Sequence, residues 1–510
     1  MPRLIDPQTQ QVIYWDAILP IGNILFVDAN GNDFNSGSFD KPLLTLSAAK
    51  TLATAGMSIH VRPGNYIGTN LLKNNVNWYF HSGSVVTNTS NTTSLFDDYV
   101  SGANGAVTCK ISGEGNFICT TGQGILYLRN ASVISIFANS LSAVGSTITS
   151  RGAELYVHAN KILSTGTSGN AAVWWYDGPC FIEANLIQGS GPAVVYSTAP
   201  VGNGISGYFW VRAKYISNNS ATISSTYKAV WVQDTEVTAR VWIDAMEIEG
   251  PIAINSTSAA ASLCYVKAEK IFGQINSTGV GFLYLDSQKL SGFGLADTLI
   301  TMTGGSSWLN ISQIDDAAIV NQIAVSISGG THYLTGRSLK RGTNGDAIAI
   351  SAGVITVSGL EIITQATYKD LNQSSTGILN VLSCSYNLTK ITGTINPTDP
   401  SAVGTLTLNT SGLIHNTPTI FSNIAGAWSA TQTLTNQAAN TFLGNGTSGS
   451  ATPTFMNAST ARTSLSIGHL VAAPTTSSDI GAVGDYANDT SFHYVCTATN
   501  TWKRVALSTW

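Results

Sequence analysis

Residues 155–166, LYVHANKILSTG, decide the fold, because the same order of residue types returns at 181–191 (FIEANLIQGSG), 210–219 (WVRAKYISNN), 242–251 (WIDAMEIEGP), 265–274 (YVKAEKIFGQ) and 284–293 (YLDSQKLSGF). Each copy runs aromatic, aliphatic, polar, small, two largely polar residues, aliphatic, turn. Taking the first aliphatic residue as an anchor gives the series Ile111, Ile136, Val157, Ile182, Val211, Ile243, Val266, Leu285, Leu309, Leu334, Val357 and Leu382, with gaps of 19 to 32 residues. A repeat in the low-to-mid twenties, built from alternating strands with no room for a helix, predicts a parallel β-helix of about twelve coils. The fixed leucine spacing and Asn ladder of a leucine-rich repeat are missing.

Strand alternation then sorts residues into columns. Two past the anchor stand Ala138, Ala159, Ala184, Ala213, Ala245, Ala268, Ser287, Gly336 and Gly359, with Ile311 as the exception. Small residues in register mark an interior position at a tight corner. Five past the anchor, Leu141, Ile162, Ile187, Ile216, Ile248, Ile271, Leu290, Ile314, Leu339 and Ile362 form the next inward row. One past the anchor, facing outward, the order His158, Glu183, Arg212, Asp244, Lys267, Asp286 alternates in charge. It reads as a structural ladder across neighbouring coils.

One before the anchor, also outward, stand Tyr156, Phe181, Trp210, Trp242, Tyr265, Tyr284, Trp308 and Tyr333. At one coil per step the stripe is about 34 Å long. A monomer rarely leaves such a stripe in water. Burial against other copies of the chain is the first expectation for it, sugar stacking or a covering loop the others.

Composition fits this reading. The 510 residues carry 24 Lys+Arg and 28 Asp+Glu, so only 10 % are charged and the net charge is −4, against roughly 25 % charged in an ordinary domain. Stacked coils place like residues about 4.8 Å apart, where repeated charge repels. With no basic block, nucleic acid is not an expected partner. No apolar run is long enough for a spanning helix, so no membrane insertion is expected. Met1–Pro20 lacks the layout of a secretory signal, which implies assembly in the cytoplasm where the chain is made. Cys109, Cys119, Cys180, Cys264, Cys384 and Cys496 are scattered and expected to be free and mostly buried. Neither histidine spacing nor a phosphate-loop motif points to a metal or a cofactor, and none is expected.

Candidate chemistry lies where the coils are longest, between Ile182 and Ile243. Aligning AVWWYDG, AVVYSTA and AVWVQDT on Ala172, Ala193 and Ala229 puts Asp177 and Asp234 in one column, two coil steps or roughly 9.6 Å apart. That is near the upper limit for an inverting carboxylate pair. Trp174, Trp175, Tyr196 and Trp231 beside them are candidate sugar-binding aromatics. Tight-turn duty is the commoner use of Asp before Gly178 or Thr235. Glu236, Glu247 and Glu249 are weaker candidates, and a lyase would need a basic residue such as Lys214 or Arg240.

The two ends carry resemblances. FVDANGNDFNSGSFDKPLLTLSAAKTLATAGMSIHVRPGNYIGTNLLKNNVNWYFHSGSVV, about residues 24 to 86, resembles the entry segment of pectate-lyase-like right-handed β-helix proteins. Here Thr45 or Ser47 can cap a short helix over Leu46, Ala49, Leu52 and Ala53, ended at Gly56, that closes the solenoid. Residues 436–468 (NQAANTFLGNGTSGSATPTFMNASTARTSLSIG) resemble a repeat of phage tail fibres and tailspikes. The last stretch resembles a terminal module of the same class through Tyr494, Cys496, Asn500, Trp502, Lys503 and Arg504. Its expected core is Tyr486, Phe492, Tyr494 and Trp502, too small to be stable alone.

The organisation expected is a virion-attachment segment (1–22), a cap with the first coils (23–105), the β-helix (106–392), a transition (393–435), the tail-fibre-type repeat (436–468) and a C-terminal β module (469–510). The resemblances imply a phage tailspike or tail fibre, usually a parallel homotrimer, held on the virion tail directly or through an adaptor protein. Its expected partner is a host cell-surface polysaccharide. Receptor binding is the first reading. A depolymerase cutting the polymer with a carboxylate pair, and a structural head fibre or decoration spike, are the alternatives. The scarcity of carboxylates favours binding over catalysis.

Overall fold

A computed structural model describes residues 23–98, 105–384 apart from short loop segments, and 471–508, with isolated strand pieces at 3–5, 12–14, 391–392, 395–396, 441–444 and 454–457. The expected attachment segment, transition and tail-fibre-type repeat therefore lie almost wholly outside the described residues. The chain divides into two compact units, Met1–Leu413 and Ile414–Trp510.

The first unit is a right-handed parallel β-helix. Each coil contributes one long strand, such as Val133–Ala143, Glu154–Ser164, Cys180–Gly189, Tyr208–Asn218 and Arg240–Glu249, and one short strand, such as Ile148–Ser150, Val173–Trp175 and Val194–Ser197. Long strands pair with long and short with short, all in parallel. The anchors from Ile111 to Val357 are partners in one unbroken ladder, as the spacing predicts. The last step differs, because Val357 pairs with Val381 and Leu382 falls one residue outside the column. The ladder also extends forward through Trp78 and Ile59 to Leu25, coils whose repeat is masked by larger residues.

The interior is built from the two expected apolar rows. All ten residues five past the anchor are buried, from Leu141 to Ile362. All six cysteines are free and buried, and burial alone pushes the Cys109 and Cys264 thiols up to about 12. Helix Leu46–Leu52 starts at Thr45, whose hydroxyl accepts the Ala48 amide at 3.1 Å. Asp33 in turn accepts the Leu44 and Thr45 amides at 2.9 and 2.8 Å, fixing the turn before the helix. Leu46, Ala49 and Ala53 are buried in the solenoid core, whereas Leu52, expected on that face, is 48 % exposed, because the turn per residue carries it to the side of the face that those three share.

In the second unit, Tyr486–Asn488, Phe492–Ala498 and Thr501–Ala506 form an antiparallel sheet. Its core is Ala487, Tyr494, Cys496 and Trp502, with Phe492 packed against it. Tyr486 points outward, contrary to the expectation, because alternation hands the inward position to Ala487.

Candidate functional site

From Val133–Ala143 to Ser306–Asp316 each long strand bends at one residue that its ladder skips. Ala138 pairs with Ala159 and Ser140 with Lys161, while Asn139 and Asn160 drop out of the ladder. The same residue is skipped between Ala184 and Leu186 and between Ala213 and Tyr215. Seen from outside, the bend is a valley. The outward residues on either side of it become walls, and the small residue between them becomes the floor.

The valley is a groove of about 850 Å³. Its floor is Gly113, Ala138, Ala159, Ala184, Ala213, Ala245, Ala268 and Ser287, one per coil, so it runs about 34 Å along the axis. One wall is Phe137, His158, Glu183, Arg212, Asp244, Lys267 and Asp286; the other is Asn139, Asn160, Asn185, Lys214, Met246, Glu269 and Gln288.

Floor size sets the groove's extent. Ahead of Gly113 the same column holds Val27, Val61 and Phe80, and after Ser287 it holds Ile311. At Gly113, with φ at +112°, an added Cβ would come within 2.0 Å of the Phe80 carbonyl oxygen, so the transition admits only glycine. Past Ile311, Gly336 and Gly359 line a second depression of about 470 Å³ that shares Asp286, Ser287 and Gln288 with the first.

The walls differ in chemistry along their length. At one end Asn185 donates to Asn160 at 2.8 Å, Asn160 to Asn139 at 3.4 Å, and Asn139 to Asn116 at 2.8 Å, so exposed amides are chained coil to coil. Opposite them the Phe137 and His158 rings lie 5.4 Å apart. The other end holds Arg212, Lys214, Lys267, Asp244, Glu269 and Asp286. Along the alternating column His158 hydrogen-bonds Glu183 at 3.3 Å, and Arg212 forms an ion pair with Asp244 at 3.6 Å. The His158 ring hydrogen-bonded to Glu183 holds that carboxyl below its ordinary range, against the opposing effect of burial.

The aromatic stripe is in register as expected, from Tyr156 through Phe181, Trp210, Trp242, Tyr265, Tyr284 and Trp308 to Tyr333. It stands on the same outward face as the charged wall, two residues away. Its rings stack across coils: Tyr156 on Phe181 at 5.1 Å, Tyr265 on Tyr284 at 4.8 Å and Trp308 on Tyr333 at 5.3 Å. Trp210 is buried, while Trp308 and Tyr333 are 47 % and 42 % exposed.

The candidates read from the longest coils lie elsewhere, on the short strands. Trp174, Val195 and Trp231 share one column and Trp175, Tyr196 and Val232 the next, which bears out the alignment on alanines. Alternation then parts the tryptophans. Trp175 faces inward, fully buried and stacked on Phe209 at 4.8 Å, so it cannot meet a sugar. Trp174 is half-buried and stacks on Tyr176 at 5.9 Å, and the Lys228 ammonium lies 5.5 Å from the Trp231 ring. Asp177 has left its strand and sits in a turn before Gly178, whose φ is +86°. Burial pushes its carboxyl above the ordinary range, opposed by the Gly152 amide and the Arg151 charge. Asp234 lies on a strand opposite Ser256. The side chains of Asp234 and Tyr196 lie outside the described residues. The sequence reading missed the groove, although Asn139, Asn160 and Asn185 recur at one offset from the anchor and signalled it.

Over 45 residues the chain is 58 % identical to "Depolymerase 1, capsule K30/K69-specific" of Klebsiella phage K5-2, covering 9 % of this chain and 6 % of that protein. Over 40 residues it is 50 % identical to "Depolymerase, capsule K30/K69-specific" of Klebsiella phage K64-1, covering 8 % and 5 %. The matches thus span about one twentieth of the length of these curated relatives. No family model matches, and no solved structure matches. Short matches to phage capsule depolymerases, together with the parallel β-helix, support a phage tailspike-like protein.

Proposed function

We propose that this protein is a phage tailspike that binds a host capsular polysaccharide along the groove of its β-helix. The observation that carries the reading is the groove itself: an open channel about 34 Å long, floored by small residues over eight coils and walled by polar side chains. An extended polymer needs a long open channel, whereas a small metabolite needs an enclosed pocket. The neighbouring aromatic stripe offers ring faces of the kind that stack on sugars. Tailspikes of this class are usually homotrimers, and the stripe's exposed end at Trp308 and Tyr333 offers a surface for contact between copies; attachment to a virion tail or its adaptor belongs to the same proposal. Titrating the purified protein with K30 and K69 capsular polysaccharides, the types named for its relatives, tests the reading. Saturable binding supports it, and no binding to any capsular polysaccharide overturns it.

A second reading, cleavage of the bound polymer, draws on Asp244, Glu269 and Asp286, which face the same groove. Paired carboxylates are the machinery of glycoside hydrolysis. Release of reducing ends during incubation with a bound polymer separates it from binding alone.

A further inference from the structure

The groove's two ends differ in a way that bears on which part of a polysaccharide each can hold. This inference rests on the polysaccharide-binding reading above and concerns how the polymer is recognised. The lining carries five carboxylates, Glu114, Glu183, Asp244, Glu269 and Asp286, against three permanent cations, Arg212, Lys214 and Lys267. The carboxylate excess lies at the amide end, where Glu114 and Glu183 flank Asn139, Asn160 and Asn185 and, among the described residues, no lysine or arginine lines the groove. An acidic sugar placed there would meet like charge.

The amides offer something else. Each asparagine side chain has two N–H donors and an oxygen with two lone pairs. The coil-to-coil chain uses one donor and one lone pair of Asn160, leaving one of each. Adjacent sugar hydroxyls present that same combination of donor and acceptor. The ladder repeats the pair at every coil, and one coil step is about the length of one pyranose ring. The ladder bonds also hold each amide in place, so little side-chain freedom is lost when a sugar binds. Phe137 and His158 supply ring surface on the opposite wall.

We propose that the amide end of the groove is a subsite for uncharged sugars, read one per coil by Asn139, Asn160 and Asn185 through hydroxyl–amide hydrogen bonds and not through ion pairing to acidic groups. The test is titration of the full chain with a capsular polysaccharide that it binds, at about 50 and about 500 mM salt, since surface ion pairing is screened over that range. The expected Kd changes less than about twofold with salt, and the Asn160→Ala/Asn185→Ala double variant weakens binding by about tenfold or more, well beyond the loss in Lys214→Ala/Lys267→Ala. Thermal melts check that the variants fold, and the salt series needs no variant at all. Binding that collapses with salt, or that depends on the lysines and ignores the asparagines, overturns the inference while leaving polysaccharide binding intact. No binding under any condition overturns the underlying reading instead.

Discussion

Ala213 lies directly over Ala184 in the parallel ladder, both almost fully buried, at the point where successive long strands bend. Both belong to the close-packed apolar core of the solenoid. Ala213→Leu should therefore overpack the interior and lower stability by about 1–3 kcal/mol. A thermal or denaturant melt checks this; an unchanged melt would mean that floor size does not shape the bend.

Trp175 and Trp174 are neighbours in sequence with opposite fates. Trp175→Ala should cost about 3–5 kcal/mol, because it empties a buried site against Phe209. Trp174→Ala, which loses a partly exposed stack on Tyr176, should cost about 1 kcal/mol. Equal losses would contradict the inward and outward assignment.

That contrast shows where the sequence was legible. The period of the anchors and the rows two and five past them are long-range regularities, and burial enforces each of them coil after coil. The groove was harder to read because alternation alone places Ala184 simply inside. Only the skipped residue beside it, Asn185, makes the strand turn outward around it, and a skipped ladder residue leaves no mark on hydrophobic periodicity. Asp177 was harder to place for a related reason: its strand stops two residues earlier, at Trp175, and glycine at 178 selects the turn.

Two groups give acid dependence of stability with one sign at different pH. Burial holds His332 below its ordinary 6.5, with Ser307 hydrogen-bonded to Nδ1 at 2.9 Å and the Gly329 carbonyl to Nε2 at 2.7 Å. Its folded pKa is depressed, so the unfolded chain takes up the proton first. Stability is complete above about 6.5 and falls as the pH drops through the folded value. His332→Gln should remove that slope. Glu183, held below its ordinary 4.5 by His158, contributes stability present above 4.5 and lost as the pH falls through its folded value. Partly exposed to water, the pair contributes about 0.5 kcal/mol, and melts of Glu183→Gln against the parent at neutral and acid pH should show the difference vanishing in acid.

Thr45→Ala removes the acceptor for the Ala48 amide and should cost about 1 kcal/mol, local to the cap. Hydrogen exchange should speed up in helix Leu46–Leu52 and leave the central coils unchanged. Uniformly faster exchange would mean that the cap holds the whole solenoid closed.

The central claim is that the groove holds the polymer, and the buried state of all six native cysteines makes a direct test available. Asn185→Cys places one exposed thiol on the groove wall, and Lys340→Cys places one on an exposed strand position outside the groove lining. Each is labelled with a bulky maleimide and titrated with a capsular polysaccharide that the parent binds. Label at 185 is expected to weaken binding by about tenfold or more and label at 340 to leave it unchanged. Equal affinity of the two labelled proteins would place the polysaccharide elsewhere and contradict the account.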